Sequence, residues 1–123
     1  MEQIAILVVD DEKEIADLVE IYLVSDGYKV FKANNAKEGL EILEKEEIHL
    51  VLLDIMMPGM DGYELTRQLR ATDYTLPILM VTAKQLPEDK RKGFIVGTDD
   101  YMTKPFSPKV LLAKANALLR RSS

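Results

Sequence analysis

Short, wholly apolar runs alternate along this chain with apolar residues at helical spacing. Each apolar run ends in residues that can do chemistry. Ile4 to Val9 runs into Asp10, Asp11 and Glu12, Leu50 to Leu53 ends at Asp54, and Ile78 to Val81 ends at Thr82. Tyr101 and Met102 lead into Thr103, Lys104 and Pro105. Runs this short, bounded by turn residues, read as strands buried on both faces. Tyr28 to Ala33 alternates instead, which predicts an edge strand, and Asp99 to Met102 predicts a short fifth strand.

Between the strands the period changes to that of a helix. Ile15, Leu18, Val19, Tyr22 and Leu23 share one face of a first helix, which Gly27 ends. Asp11 with Glu14 fits a capping box for it, as Asn35 with Glu38 does for a second helix carrying Leu40 and Leu43. Asp61 with Glu64 caps a third, with Leu65 and Leu69 inward. Gln85 to Val96 is a weaker fourth, charged from Glu88 to Lys92. Ser107 and Pro108 open a fifth, which carries Leu111, Leu112, Ala115, Leu118 and Leu119 and ends in Arg120 and Arg121. Five strand–helix units predict an α/β fold with a parallel sheet and helices on both faces. All the polar strand ends then lie along one rim, where open α/β sheets bind ligands.

Composition narrows the chemistry. The 123 residues are enough for one domain. A net charge of −5 argues against direct nucleic-acid binding. No apolar run reaches membrane-spanning length and no secretory signal is visible, so a cytoplasmic protein with no membrane contact is expected. The absence of cysteine excludes thiolate metal sites and thiol catalysis. The single histidine, His49, falls at the start of a strand, away from the rim, which excludes multi-histidine zinc sites.

Asp10, Asp11 and Asp54 would converge as hard oxygen donors, a set suited to Mg²⁺. Lys104 could grip a phosphoryl oxygen, and Thr82 could donate a hydrogen bond to it. A carboxylate can be a nucleophile toward phosphorus, and phosphoryl transfer needs mainly positioning and charge neutralisation. Taken singly, each residue has an ordinary explanation: a helix cap for Asp11, a solvated loop for Asp54, a strand end for Thr82, a surface position for Lys104. Their arrival at successive strand ends is harder to dismiss.

The motifs Val-Val-Asp-Asp-Glu at 8–12, Leu-Leu-Asp-Ile-Met-Met-Pro-Gly-Met-Asp-Gly at 52–62, Val-Thr-Ala at 81–83 and Gly-Thr-Asp-Asp-Tyr-Met-Thr-Lys-Pro-Phe at 97–106 span the chain. With them it resembles the receiver domain of two-component response regulators, and its C-terminal segment resembles the OmpR/PhoB subfamily. The resemblance implies a flavodoxin-like (βα)5 fold with strand order 2-1-3-4-5. It implies Asp54 as phosphoacceptor from a sensor histidine kinase. Asp10 and Asp11, with Asp54 and the Met56 carbonyl, would hold Mg²⁺ (Mn²⁺ can substitute). Thr82 and Lys104 would bind the phosphoryl oxygens, Tyr101 would be the switch aromatic, and Lys104–Pro105 would be a cis peptide. Such a domain is a switch that assists its own phosphorylation and dephosphorylation rather than an enzyme.

The resemblance also implies a homodimer on phosphorylation, through the fourth helix, fifth strand and fifth helix. Ile95, Leu111 and Ala115 would supply its apolar patch, and Asp99 and Asp100 would pair across it with Lys114 and Arg121. Val110 stands where relatives carry a glutamate, Thr98 replaces an alanine, and Lys114 replaces an arginine that pairs bidentately. Residues 1–121 form the receiver domain in this reading, and 122–123 a tail or linker start. In this reading the effector domain that the subfamily carries next, a DNA-binding one, is absent from the 123 residues, whose ending matches the subfamily's linker junction. That points to a fragment of a transcription factor, with a stand-alone receiver acting by protein contact as the alternative. A Mg²⁺-dependent phosphatase would need an Asp-x-Asp on the first strand, which Asp10-Asp11-Glu12 does not provide. An FMN binder would need a first loop rich in Ser, Thr and Gly.

Overall fold

The computed structural model describes residues 3–54, 62–72, 75–83 and 98–121. Its strands are β1 (Ala5–Val9), β2 (Lys29–Ala33), β3 (Leu50–Asp54), β4 (Ile78–Ala83) and β5 (Asp100–Lys104). They form one parallel sheet in the order β2-β1-β3-β4-β5. The helices are α1 (Lys13–Ser25), α2 (Ala36–Lys45), α3 (Gly62–Thr72) and a C-terminal helix (Pro108–Arg121). The fold class and strand order expected from the sequence are those found.

The apolar strands bury both faces because successive side chains point to opposite sides. Ile6, Val8, Leu50, Leu52, Leu79 and Val81 pack under α1 and the C-terminal helix. Leu7, Val9, Val51, Leu53, Ile78 and Met80 pack on the other face with α2 and α3. β2, which alternates in sequence, is one edge strand, and β5 is the other. The chain leaves β1 in one direction to β2 and in the other to β3, so the topological switch lies between β1 and β3.

Local signals explain most element ends. α1 closes in a Schellman motif: Tyr28 N–H donates to Leu23 O, and Gly27 N–H to Val24 O. Gly27 takes φ 95°, a value that favours glycine. Asn35 caps α2 by accepting from Glu38 N–H, while Glu38 reaches back to Asn34 N–H rather than to that of Asn35. Ser107 Oγ accepts from Val110 N–H and caps the C-terminal helix. His49 donates its N–H to Ala5 O and accepts Ala5 N–H at Nδ1, at the end of the sheet opposite the rim.

Two local expectations need correction. Asp11 does not cap α1: the N-cap is Glu12, whose own side chain makes no capping bond. Instead Asp10 Oδ1 accepts Glu12 N–H at 2.9 Å. β5 begins one residue later than expected and runs through Lys104, because the ladder is a backbone pattern that Thr103 and Lys104 satisfy as well as apolar residues do. The fourth helix expected over 85–96 and the cap at Asp61 lie outside the described residues. No helix among the described residues is long and apolar enough to cross a membrane.

Candidate functional site

The rim of the sheet brings the polar strand ends together. Val9 pairs with Leu53, so Asp10 and Asp54 are each one step past that pair on adjacent strands. Asp10 N–H bonds Ala33 O at 3.0 Å, which ties the residue to the end of β2. Both carboxylates are buried, Asp10 and Asp54 each 3 % exposed. Asp11 and Glu12 follow on the exposed side. Among the described residues, Asp10, Asp11, Glu12 and Asp54 each offer a carboxylate oxygen within 4.8 Å of the others.

Lys104 comes from the far edge strand and reaches across β4. Its Nζ lies 3.1 Å from Asp54 Oδ2 and 3.3 Å from both Asp10 Oδ2 and Glu12 Oε1. Thr82 is a β4 backbone position between them, one step beyond the Asp54–Val81 pair and opposite Thr103.

The electrostatics follow from burial. Desolvation pushes the Asp10 carboxyl up to about 6, helped by the Asp54 charge and opposed by the Glu12 N–H bond and Lys104. Burial lowers the Lys104 ammonium, but the bond to Asp54 and the charges of Asp54, Asp10 and Glu12 outweigh it and raise it above the usual lysine value. An all-oxygen anionic cluster with one ammonium fits a hard divalent cation, since the cation would compensate the buried charge of Asp10 and its repulsion by Asp54.

Other sequence-derived candidates fall elsewhere. Met56 and Ile95 lie outside the described residues. Tyr101 is exposed on β5, and the Lys104–Pro105 peptide is cis. Leu111 and Ala115 do not form a surface patch: both are fully buried, on the stripe with Leu118 and Leu119 that covers the sheet. The exposed large apolar residue of the C-terminal helix is Val110. Asp99 is engaged within the chain, 2.8 Å from Arg70 Nη2 and accepting Ile78 N–H. Asp100 pairs with Lys114 of the same chain at 3.0 Å. Arg121 is the exposed last residue of its helix. Sequence reasoning missed Glu12 as a partner of Lys104. Its only signal was a third acidic residue after β1. It also missed Arg70, which carried none.

The family profile of the response regulator receiver domain matches residues 6–116. Regulatory protein VanR of Enterococcus faecium is 52% identical over 116 residues, covering 94% of this chain and 50% of VanR. The chain thus spans about half the length of that curated relative. A CheY-like receiver domain from Methanospirillum hungatei superimposes with a TM-score of 0.90 at 34% identity, covering 98% of this chain and 97% of that one. The receiver domain of Francisella response regulator 1452 gives 0.89 at 32% identity, over 98% of this chain and 100% of that one. The rim of acidic residues and lysine lies on a sheet of the order these relatives lead one to expect, and the chain belongs to the response regulator receiver domain family.

Proposed function

We propose that Asp54 accepts a phosphoryl group from a phosphohistidine of a sensor histidine kinase. The observation that carries this is a buried carboxylate at the end of β3, 3.1 Å from Lys104, inside the acidic cluster. An Asp54 oxygen forms the new P–O bond as the donor's P–N bond breaks. The bonding pair leaves with the imidazole of the kinase. Lys104 donates to a phosphoryl oxygen, and Thr82 donates to another.

Asp10, Asp11 and Asp54, with the Met56 carbonyl, are the residues that would hold Mg²⁺ or Mn²⁺. The cation would neutralise charge on the phosphoryl oxygens. Asp10 and Asp54, fixed by strand ends, keep their oxygens in place for it. Tyr101 serves as the aromatic whose position reports the phosphorylated state. The domain comprises residues 1–121 and works in the cytoplasm as part of a longer regulator, in which phosphorylation controls dimerisation and transcription. The half-length match to VanR supports this.

The test is incubation with Mg²⁺ and acetyl phosphate, read by intact mass. The expected result is the gain of one phosphoryl group, lost in Asp54→Ala and without Mg²⁺. No gain in the unaltered protein, with phosphoramidate failing too, would count against Asp54 as a general acceptor.

A further inference from the structure

Glu12 occupies the N-cap of α1 with φ −89° and ψ 101°, yet its side chain makes no capping bond. Favoured N-cap residues are short and turn their oxygen onto the first helical N–H groups. Glu12 turns the other way, and Oε1 lies 3.3 Å from Lys104 Nζ. An ammonium has three N–H donors. Among the described residues, the carboxylates around this one are those of Asp10, Glu12 and Asp54.

These three partners are not equivalent. The Asp10 and Asp54 side chains are 5% and 4% exposed, whereas that of Glu12 is 60% exposed. Separating Lys104 from either aspartate leaves a buried charge uncompensated, which is costly. Returning Glu12 to water costs little, because exposed ion pairs contribute little. A phosphoryl oxygen that needs a Lys104 donor can therefore obtain it most readily from Glu12.

We infer that Glu12 is a displaceable counter-ion, which occupies one Lys104 N–H until a phosphoryl group replaces it and thereby slows phosphoryl loading. This inference rests on the proposed acceptor role of Asp54. Glu12 acts through Lys104 and is a positioning residue. Its charge at the rim also repels an anionic donor, so reach and charge have to be separated experimentally.

Two variants do this in the full chain. Glu12→Asp keeps the charge but shortens the side chain, and places a favoured N-cap residue on α1. Glu12→Gln keeps the length and removes the charge. Initial loading from acetyl phosphate at saturating Mg²⁺ is read by intact mass. Affinity for Mg²⁺ alone is read by titration calorimetry, and the Lys104 ammonium by ¹⁵N NMR.

Glu12→Asp is expected to load about two- to fivefold faster, the range an exposed ion pair allows. Glu12→Gln should load at least as fast. The Lys104 ammonium signal should move in both metal-free variants, and the Mg²⁺ affinity of Glu12→Asp should stay within about twofold of the unaltered protein. Loading by Glu12→Asp at the unaltered rate would overturn the inference. So would slower loading with about tenfold weaker Mg²⁺ binding, which would place Glu12 in the cation's shell. Those outcomes leave Asp54 as acceptor, because the unaltered protein still loads. An unaltered protein that takes up no phosphoryl group, as Asp54→Ala does not, removes the acceptor reading itself and this inference with it.

Discussion

Asp10 is held one residue past a buried strand, beside a second buried carboxylate, and its proton affinity records the cost. Its carboxyl rises from 3.8 to about 6, so the fold favours the protonated form. The stability this contributes is complete below the unfolded value and is lost as pH rises through about 6. Above pH 6 a charged Asp10 should destabilise the metal-free protein by on the order of a few kcal/mol. Asp10→Asn removes that charge and keeps an oxygen for Glu12 N–H. In EDTA the variant should melt several degrees higher than the unaltered protein at pH 7.5, and the gain should shrink toward pH 4.5. An equal gain at both pH values would show that burial of the charge is not its source. The same proton competes with the proposed Mg²⁺: apparent affinity should fall about tenfold per pH unit below about 6, measured by calorimetric titration. The sequence placed Asp10, Asp54 and Lys104 on one rim, because Asp10 and Asp54 directly end apolar runs and Lys104 follows a short strand. It could not show that Lys104 also binds Glu12, since that contact joins positions 92 apart and depends on a side-chain direction.

At the scale of elements, the sheet is positioned by a few close approaches and ties. α2 lies on β1 at Gly39, where an added Cβ would stand 3.1 Å from Val9 Cγ2. Val9 is the last residue of β1 and immediately precedes Asp10. Gly39→Leu should therefore cost about 1–3 kcal/mol by overpacking in spite of better helix propensity, read by urea unfolding. A stabilised variant would mean that α2 shifts freely on the sheet. At the other edge, Arg70 of α3 donates to Leu76 O at 2.6 Å and pairs with Asp99, which also accepts Ile78 N–H. One guanidinium thus ties the end of α3 to the starts of β4 and β5. Arg70→Met should cost about 1–3 kcal/mol, because Asp99 and Leu76 O each lose a partner. An unchanged unfolding midpoint would reduce the tie to a surface pair. Periodicity made the strands, α1, α2 and the C-terminal helix legible, since burial sets the spacing of apolar residues. It could not show where Asp99 turns. An acidic residue before an edge strand reads equally well as a surface charge or an internal tie, and only the position of Arg70 decides between them. Leu111 and Ala115 misled for a related reason: an apolar stripe can face the sheet or a partner, and here it faces the sheet.

Across the whole molecule, Lys104 bridges the sheet from the β5 edge to the switch point between β1 and β3, in the place where a bound cation would neutralise the same carboxylates. The ammonium and the proposed Mg²⁺ would therefore compete to balance Asp10 and Asp54, while each would also draw in a phosphoryl group. Lys104→Met separates these roles, because it keeps most of the apolar stem and removes the charge. Without metal, two buried carboxylates would lose their cationic partner, so the variant should be destabilised by about 3 kcal/mol at pH 7. The loss should lessen toward pH 5, as Asp10 takes up its proton. Mg²⁺ should then raise the melting temperature of the variant by more than that of the unaltered protein, and calorimetry should show tighter Mg²⁺ binding. Phosphoryl loading should nevertheless fall, because the proposed donor to the phosphoryl oxygen is gone. Tighter metal binding together with slower loading is the signature of a lysine that balances charge before the reaction and binds the phosphoryl group during it. Weaker Mg²⁺ binding in the variant would instead mean that Lys104 holds the carboxylates in shape for the cation, and its charge would be secondary to its placement.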